Sequence, residues 1–342
     1  MKKKLVMFML ICFLTLSLTG CTTYLKDENG KVVKEPTTGQ NLVSNMLCKP
    51  KNNDVIKTYN KNKDEKDINL DDLPNCTDFT PASGEYHGLW EAIFIKPLCY
   101  LIIQIGKLFG NYGVAIICVT LLIRLIIFPI SKKSAMQSEN MKYAQKDIEK
   151  LERKYRGRDS QQDQVLKMQE TMATYKKYDI NPMSGCLFAF IQMPLFFAFL
   201  ESLNRLPIVF EGKFLGYDLG MSPFVKIFGG SFSFNKLIAC FSNGSFIYLL
   251  LPLLVGVTTF FSFKLNSGIS SSSEEQQSQM KTMMNVMLVF IVFTSFTMPT
   301  SIIIYWITGT LFTIVQAEVI RRMKNGSRNS GKRIKKQRRS FK

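Results

Sequence analysis

Apolar positions along this chain fall into long blocks, and the charged residues stand between and after them. Five blocks reach or approach the roughly 20 residues that carry a helix across a hydrocarbon core of about 30 Å: 112–130, 185–203, 246–263, 283–298 and 301–320. The fourth is short and needs neighbouring helices or local bilayer thinning. Pro299 leaves almost no loop between the fourth and fifth blocks, which predicts a tight hairpin. Backbone groups in hydrocarbon have no water to bond to, so each block is predicted as a helix.

Ahead of the first block, Trp90, Ile93, Phe94, Leu98, Leu101, Ile102, Ile105 and Leu108 recur at spacings of three and four, with Glu91, Lys96, Gln104 and Lys107 interleaved. That pattern predicts an amphipathic helix lying in the membrane interface, divided or kinked at Pro97. Between the first two blocks, Met141, Ala144, Ile148, Leu151 and Tyr155 form one apolar stripe, and Val165, Met168, Met172 and Tyr175 a second. Arg156-Gly157-Arg158-Asp159 reads as a turn, and Ser160 with Asp163 has the spacing of a helix N-terminal cap. Segment 132–184 is therefore expected to be a helical hairpin closed along both stripes, serving as a solvated spacer or as a docking surface. Residues 22–84 are rich in Lys, Asp and Asn and lack periodicity, which predicts an extracytoplasmic tether (21–84) with little structure of its own.

Charge fixes an orientation. Lys132, Lys133, Lys176, Lys177, Lys264, Lys281, Arg321 and Arg322 all flank the ends of blocks that would face the cytoplasm if the amino terminus lies outside. The amino-terminal segment agrees: Lys2, Lys3 and Lys4 precede an apolar run from Leu5 to Leu16, and Leu18-Thr19-Gly20-Cys21 follows, the layout of a secretory signal at 1–20. The Leu-Thr-Gly-Cys ending resembles a bacterial lipobox, which implies cleavage before Cys21 and acylation of its thiol; the alternative is a plain signal that happens to contain a cysteine. The chain carries a net charge of +18, and from Arg321 to Lys342 there are eleven Lys/Arg and no acid. Such a block reads as a disordered tail, 326–342, suited to ribosomes, nucleic acid or anionic lipid.

Little in the chain points to metal or redox chemistry. His87 is the single histidine, there is no Cys-x-x-Cys pair, and Cys99, Cys118 and Cys186 fall in or beside apolar blocks. Cys48 and Cys76 both lie in the segment expected outside, where pairing is a working hypothesis. No Walker-type glycine loop is present, so no nucleotide, metal or other cofactor is expected.

Arg124 is the most informative residue. It interrupts an otherwise apolar run from Val119 to Pro129, six residues before Ile130 and so about 9 Å from the block's end. An arginine cannot shed its proton, and a cation at that depth is costly. It can snorkel to the headgroups, pair with Glu318 near the inner end of the fifth block, or face a hydrated cavity open to the cytoplasm. Because no Asp or Glu occurs well inside any block, the cavity is the favoured reading. Matching polar groups recur elsewhere: Gln192 beside Pro194; Thr258, Thr259 and Ser262; Asn285, Thr294 and Ser295; and Tyr305, Thr308, Phe312 and Gln316 along one side of the fifth block. Each can also act simply as helix-to-helix glue. Met280, Met283, Met284 and Met287 cluster at the start of the fourth block, an adaptable surface for varied apolar helices or ordinary packing.

Together these residues resemble the YidC/Oxa/Alb family of membrane insertases. The matching segments run from Phe109-Gly110-Asn111-Tyr112-Gly113 to Arg124 and Phe128-Pro129, then Tyr178-Asp179-Ile180-Asn181-Pro182-Met183-Ser184-Gly185-Cys186, Ile191-Gln192-Met193-Pro194, and finally Pro299, Tyr305-Trp306 and Gln316. They span roughly 88–325. The lipobox and the lack of a large extracytoplasmic β-domain resemble the Gram-positive branch.

The resemblance implies an all-α membrane protein. Five transmembrane helices would surround a hydrophilic groove in an 85–325 insertase domain, with a cytoplasmic helical hairpin (132–184) and an interfacial amphipathic helix. Arg124 matches the family's groove arginine, and Gln192, Tyr305, Trp306 and Gln316 match further motif positions; Thr308, on the same side of the fifth block by its spacing, completes the candidate groove set Arg124, Gln192, Tyr305, Thr308 and Gln316. The resemblance also implies insertion and folding of nascent membrane proteins without covalent catalysis, alone or with the Sec translocon. The basic tail would contact ribosomes. The site would be a bacterial plasma membrane, with the mature amino terminus lipid-anchored outside and the carboxyl terminus in the cytoplasm. Rival readings are a transporter or channel binding a small anion at Arg124, and a passive chaperone or ribosome anchor; no internal repeat supports the transporter.

Overall fold

The computed structural model describes residues 22–64, 67–158, 160–181, 184–266 and 274–340. The signal segment and Cys21 lie outside the described residues, as do Pro182 and Met183. Helices dominate: α1 (Asn53–Asn62), α2 (Lys96–Phe109), α3 (Tyr112–Tyr155), α4 (Gln161–Lys177), α5 (Ser184–Asn204), α6 (Pro207–Phe210), α7 (Pro223–Phe228), α8 (Phe234–Ser242), α9 (Leu250–Asn266), α10 (Glu274–Ser295) and α11 (Thr300–Ser340). A two-stranded ribbon pairs β1 (Lys213–Phe214) with β2 (Tyr217–Asp218), Lys213 opposite Asp218. Two compact units divide the chain. One gathers residues to Leu122, Gln192–Val255 and Val292–Thr308, the other Ile123–Ile191, Gly256–Ile291 and the residues from Gly309 onward.

Among the described residues, four helices are long and apolar enough to cross a membrane: Glu91–Phe109, Tyr112–Tyr155, Ser245–Leu265 and Thr300–Lys324. Three of them carry the blocks expected at 112–130, 246–263 and 301–320. The block at 283–298 coincides with the shorter apolar helix Lys281–Ser295, and 185–203 with α5, whose side chains are described from Gln192 onward. The fourth, Glu91–Phe109, was expected to lie in the interface. Its length and composition also suit a span.

The charges of that segment are placed contrary to an ordinary surface helix. Glu91 and Lys96 are both 5% exposed, whereas Leu89, Ile93 and Phe94 are exposed. Glu91–Ile95 winds as a wide π turn before α2 begins. Pro97 sits in the first turn of α2, where the winding has just changed from π to α; the helix continues across it, so the expected division is a change of winding and not a break. Arg205, 1% exposed, explains the inward charges. Its guanidinium meets Glu91 at 2.6 Å and Glu201 at 3.1 Å, and Lys96 lies 3.5 Å from Glu91. Trp90 Nε1 donates to the other Glu201 oxygen at 3.0 Å. Two cations and two carboxylates thus neutralise one another out of water, the condition under which buried charge is tolerated.

The expectation of an unstructured tether is overturned. Leu25, Leu42, Val43, Met46, Val55, Tyr59 and Leu70 pack into one core with Phe210. Short antiparallel bridges join Tyr24 to Val43, Lys26 to Val32 and Lys34 to Asn41. Cys48 and Cys76 are disulfide-bonded across 28 residues. The Tyr59 hydroxyl donates towards the carbonyls of Ser44 and Ile68. Large apolar residues are few and irregularly spaced here, so periodicity does not reveal them; the cross-link and the docking of Phe210 supply what a core this small lacks. Backbone and side-chain bonds tie the subdomain down: Arg205 Nε to Asn45 O at 2.7 Å, Leu47 N to Arg205 O, Gln40 to Asn204, and the Lys51 and Asn52 amides to the Glu211 carboxylate.

In the second unit α3 runs unbroken past Pro129 to Tyr155, joining the first block and the first arm of the hairpin in one 44-residue helix. Ser160 caps α4 as expected, its hydroxyl accepting from Asp163 N at 3.1 Å. The hairpin closes differently from the two-stripe expectation. Met141, Ala144 and Ile148 are buried with Ile180, and Tyr175 and Tyr178 pack against them. Val165, Met168 and Met172 stay exposed, and α4 buries Thr171 instead. Lys154–Glu170 and Lys177–Asp147 ion pairs, at 2.6 and 2.7 Å, hold the arms together. The basic stretch expected to be disordered continues as helix through Ser340, consistent with the helix propensity of Lys, Arg and Gln.

Candidate functional site

Arg124 comes from the apolar part of α3 and is half-buried. Within the second unit it lies against α11 at Gly309, where a Cβ would stand 2.6 Å from Arg124 Nη2. A glycine there leaves the room the guanidinium occupies. One residue on, Thr310 Oγ1 donates to Thr258 Oγ1 of α9 at 3.0 Å, and Thr313 bonds back to Gly309 O. Two turns below Gly309 on α11, Gln316 Oε1 accepts from Ser131 Oγ of α3 at 3.2 Å. Helices α3, α9 and α11 therefore meet through polar side chains inside otherwise apolar sequence. Thr258, Thr259, Ser262 and Gln316 are all buried.

Glu318, the candidate acidic partner for Arg124, is bound by Arg321 at 2.7 Å and Arg322 at 2.8 Å, its neighbours on α11. Their i,i+3 and i,i+4 spacing makes those pairs local to the helix end.

The remaining expected groove residues fall in the first unit. Tyr305 is 2% exposed, stacked on Phe199 with ring centroids 4.2 Å apart, and Phe196 packs edge-on to Trp306 at 5.5 Å. Gln192 and Thr308 are half-buried. Of the five candidates, Arg124 and Gln316 thus share one unit, and Gln192, Tyr305 and Thr308 the other. Met283 and Met287 are exposed at the start of the fourth block, and Met284 is half-buried. Sequence reasoning missed Gly309, Thr310 and Ser131. A glycine and small hydroxyls in apolar helices carry a packing signal that becomes specific only when the opposite helix is known.

No group of three or more His, Cys, Asp or Glu side chains among the described residues is arranged to hold a metal ion.

Residues 104–328 match the model of the 60Kd inner membrane protein family. Over 242 residues the chain is 33% identical to the membrane protein insertase MisCA of Bacillus subtilis, covering 70% of this chain and 82% of that one. It is 30% identical over 253 residues to the membrane protein insertase YidC of Oceanobacillus iheyensis, covering 72% and 90% respectively. Among solved structures, an active YidC insertase with its first transmembrane domain resolved shares 24% identity at a TM-score of 0.44. The alignment covers 67% of this chain and 46% of that one.

Proposed function

The chain belongs to the 60Kd inner membrane protein family, and from that premise we propose that it is a membrane protein insertase working through a hydrophilic groove open to the cytoplasm. Arg124 beside Gly309, in apolar helices joined by Thr258, Thr310, Ser131 and Gln316, is the observation that carries the mechanism. A fixed cation in a region of hydrocarbon thickness attracts the acidic or polar stretch of an entering chain and shortens its path through lipid. The substrate's apolar helix then partitions into the bilayer, so hydrophobic transfer supplies the drive and neither nucleotide nor covalent chemistry is needed. Gln192, Tyr305 and Thr308 remain candidates for the substrate path from the sequence and the family resemblance alone.

The proposed topology has five crossings, the mature amino terminus outside and anchored by acylation at Cys21, and the carboxyl terminus inside. Its support is the distribution of Lys and Arg and the signal-like start. Proposed partners are nascent membrane proteins, the Sec translocon, membrane lipids and, through the basic end of α11, the ribosome. Vesicles reconstituted with the pure protein test the function. Insertion of a small single- or double-spanning substrate without ATP supports it, whereas anion flux with no insertion favours a transporter. Removing 321–342 should weaken ribosome binding, most visibly at low salt; an unchanged sedimentation profile would remove that partner.

A further inference from the structure

Helix α8 lies before the span Ser245–Leu265 and presents a stripe of exposed apolar side chains. Phe234, Ile238 and Phe241, at i, i+4 and i+7, are 67%, 58% and 64% exposed. Phe232, Phe246 and Ile247 extend the exposed surface on both sides. The stripe is held in place: Phe228 and Phe232 are in ring contact, Phe228 also touches Phe224, and Phe241 stacks with Phe246 at 6.0 Å. The opposite side of α8 carries the buried Cys240. An ordered row of large apolar side chains turned outward marks a surface with an apolar partner.

We propose that this stripe is a membrane-interface anchor, seated among the acyl chains at the amino-terminal end of the span Ser245–Leu265. Continuity argues for lipid as the occupant. The Phe241 ring meets Phe246, and Phe246 and Ile247 share the span with the exposed Leu250, Leu253 and Leu254, so exposed apolar residues continue from α8 onto a helix long and apolar enough to cross a membrane. The charge pattern narrows the kind of contact. From Gly229 to Leu249 the single charge is Lys236, and its ammonium is turned back onto Phe228 O at 2.7 Å and Ser231 Oγ at 3.1 Å. Interfacial helices that seek anionic lipid carry rows of Lys or Arg on the polar face. This one does not, so its anchoring rests on apolar burial and is insensitive to headgroup charge. Fixing α8 in the interface would set the depth at which α9 begins.

The test places the photoreactive residue p-benzoylphenylalanine at Ile238, and separately at Ala239 on the flank of the stripe, in the full chain in nanodiscs of zwitterionic phosphatidylcholine. After irradiation, the intact mass at position 238 should rise by one phospholipid, with much less adduct at 239. The 238 yield should stay the same when a third of the lipid is replaced by phosphatidylglycerol. A 238 adduct to a second copy of this chain, or no adduct at all, would overturn the anchor. A yield that climbs several-fold with anionic lipid would overturn the claim that apolar burial drives it. Phe234→Asn with Ile238→Asn provides an independent reading: the chain should fold, keep its disulfide, and show faster backbone hydrogen exchange in α8. Unchanged exchange would count against lipid contact.

Discussion

Arg205 Nη2 stands 2.6 Å from Glu91 Oε2 in a site where neither residue is more than 5% exposed. The arginine follows the end of α5, and the glutamate opens the segment leading into α2. Nε of the same guanidinium reaches Asn45 O in the amino-terminal subdomain. One side chain thus joins three parts of the first unit that are distant in sequence.

Removing that cation should be severe. Breaking a buried pair leaves uncompensated charge and typically costs about 3–5 kcal/mol. Arg205→Met is expected to lower the thermal unfolding midpoint in detergent strongly. Adding Glu201→Gln to it, which leaves Glu91 paired with Lys96, should recover much of the loss. A midpoint unchanged in the single variant would mean that water reaches the cluster.

The disulfide closes a loop of 28 residues, which in the chain-entropy account stabilises the folded segment by about 3–4 kcal/mol. Cys48→Ser with Cys76→Ser should open residues 22–84 to protease while the spans remain protected. Equal protease resistance with and without the bond would show that packing on Phe210 alone maintains the subdomain.

Gly309 is the space Arg124 occupies, so Gly309→Leu is expected to displace the guanidinium and reduce insertion several-fold in vesicles, with the thermal midpoint little changed. Arg124→Ala should match it. If insertion of every substrate survives both changes, the groove mechanism fails even where insertase activity remains.

The Thr258–Thr310 bond is a separate matter of helix packing. Interhelical bonds of this kind contribute about 0.6 kcal/mol on average, so Thr258→Val should shift stability slightly and leave insertion intact. A large loss of insertion would instead assign Thr258 to the substrate path.

In the hairpin, the Glu170 carboxyl is held below its ordinary value, first by its bond to Lys154 and next by the Tyr155 hydroxyl. A depressed carboxylate stabilises the folded arms at pH above its unfolded value, and that contribution is lost as pH falls through the folded value. Spin labels on α3 and α4 should therefore give a distance distribution that broadens on acidification, modestly because the pair is exposed. Glu170→Gln should show the broader distribution at every pH. A distribution independent of pH in the unsubstituted chain would remove Glu170 from the closure.

Much was legible in the chain itself. Runs such as 112–130 and 301–320 read as helices because backbone in hydrocarbon must bond internally, and Arg124 stood out because nothing else in its run is charged. The Ser160 cap was equally readable, since Asp163 lies within reach along the sequence. Other features needed the fold. Glu91 and Lys96 looked like the wet side of an amphipathic helix until Arg205, more than a hundred residues away, supplied the charge that turns them inward. Residues 22–84 looked unstructured because their few apolar residues have no period; only the chain's return on itself brings Phe210 to them and Cys76 to Cys48. Val165, Met168 and Met172 had helical spacing yet stayed exposed, because Ile180 and Tyr178 cover α3 in their place. Sequence determines which segments cannot remain in water and where a lone charge is costly, since both follow from local composition. Which distant group compensates a buried charge or closes a small core is decided by tertiary structure, because those energies depend on distances that neighbours in sequence do not set.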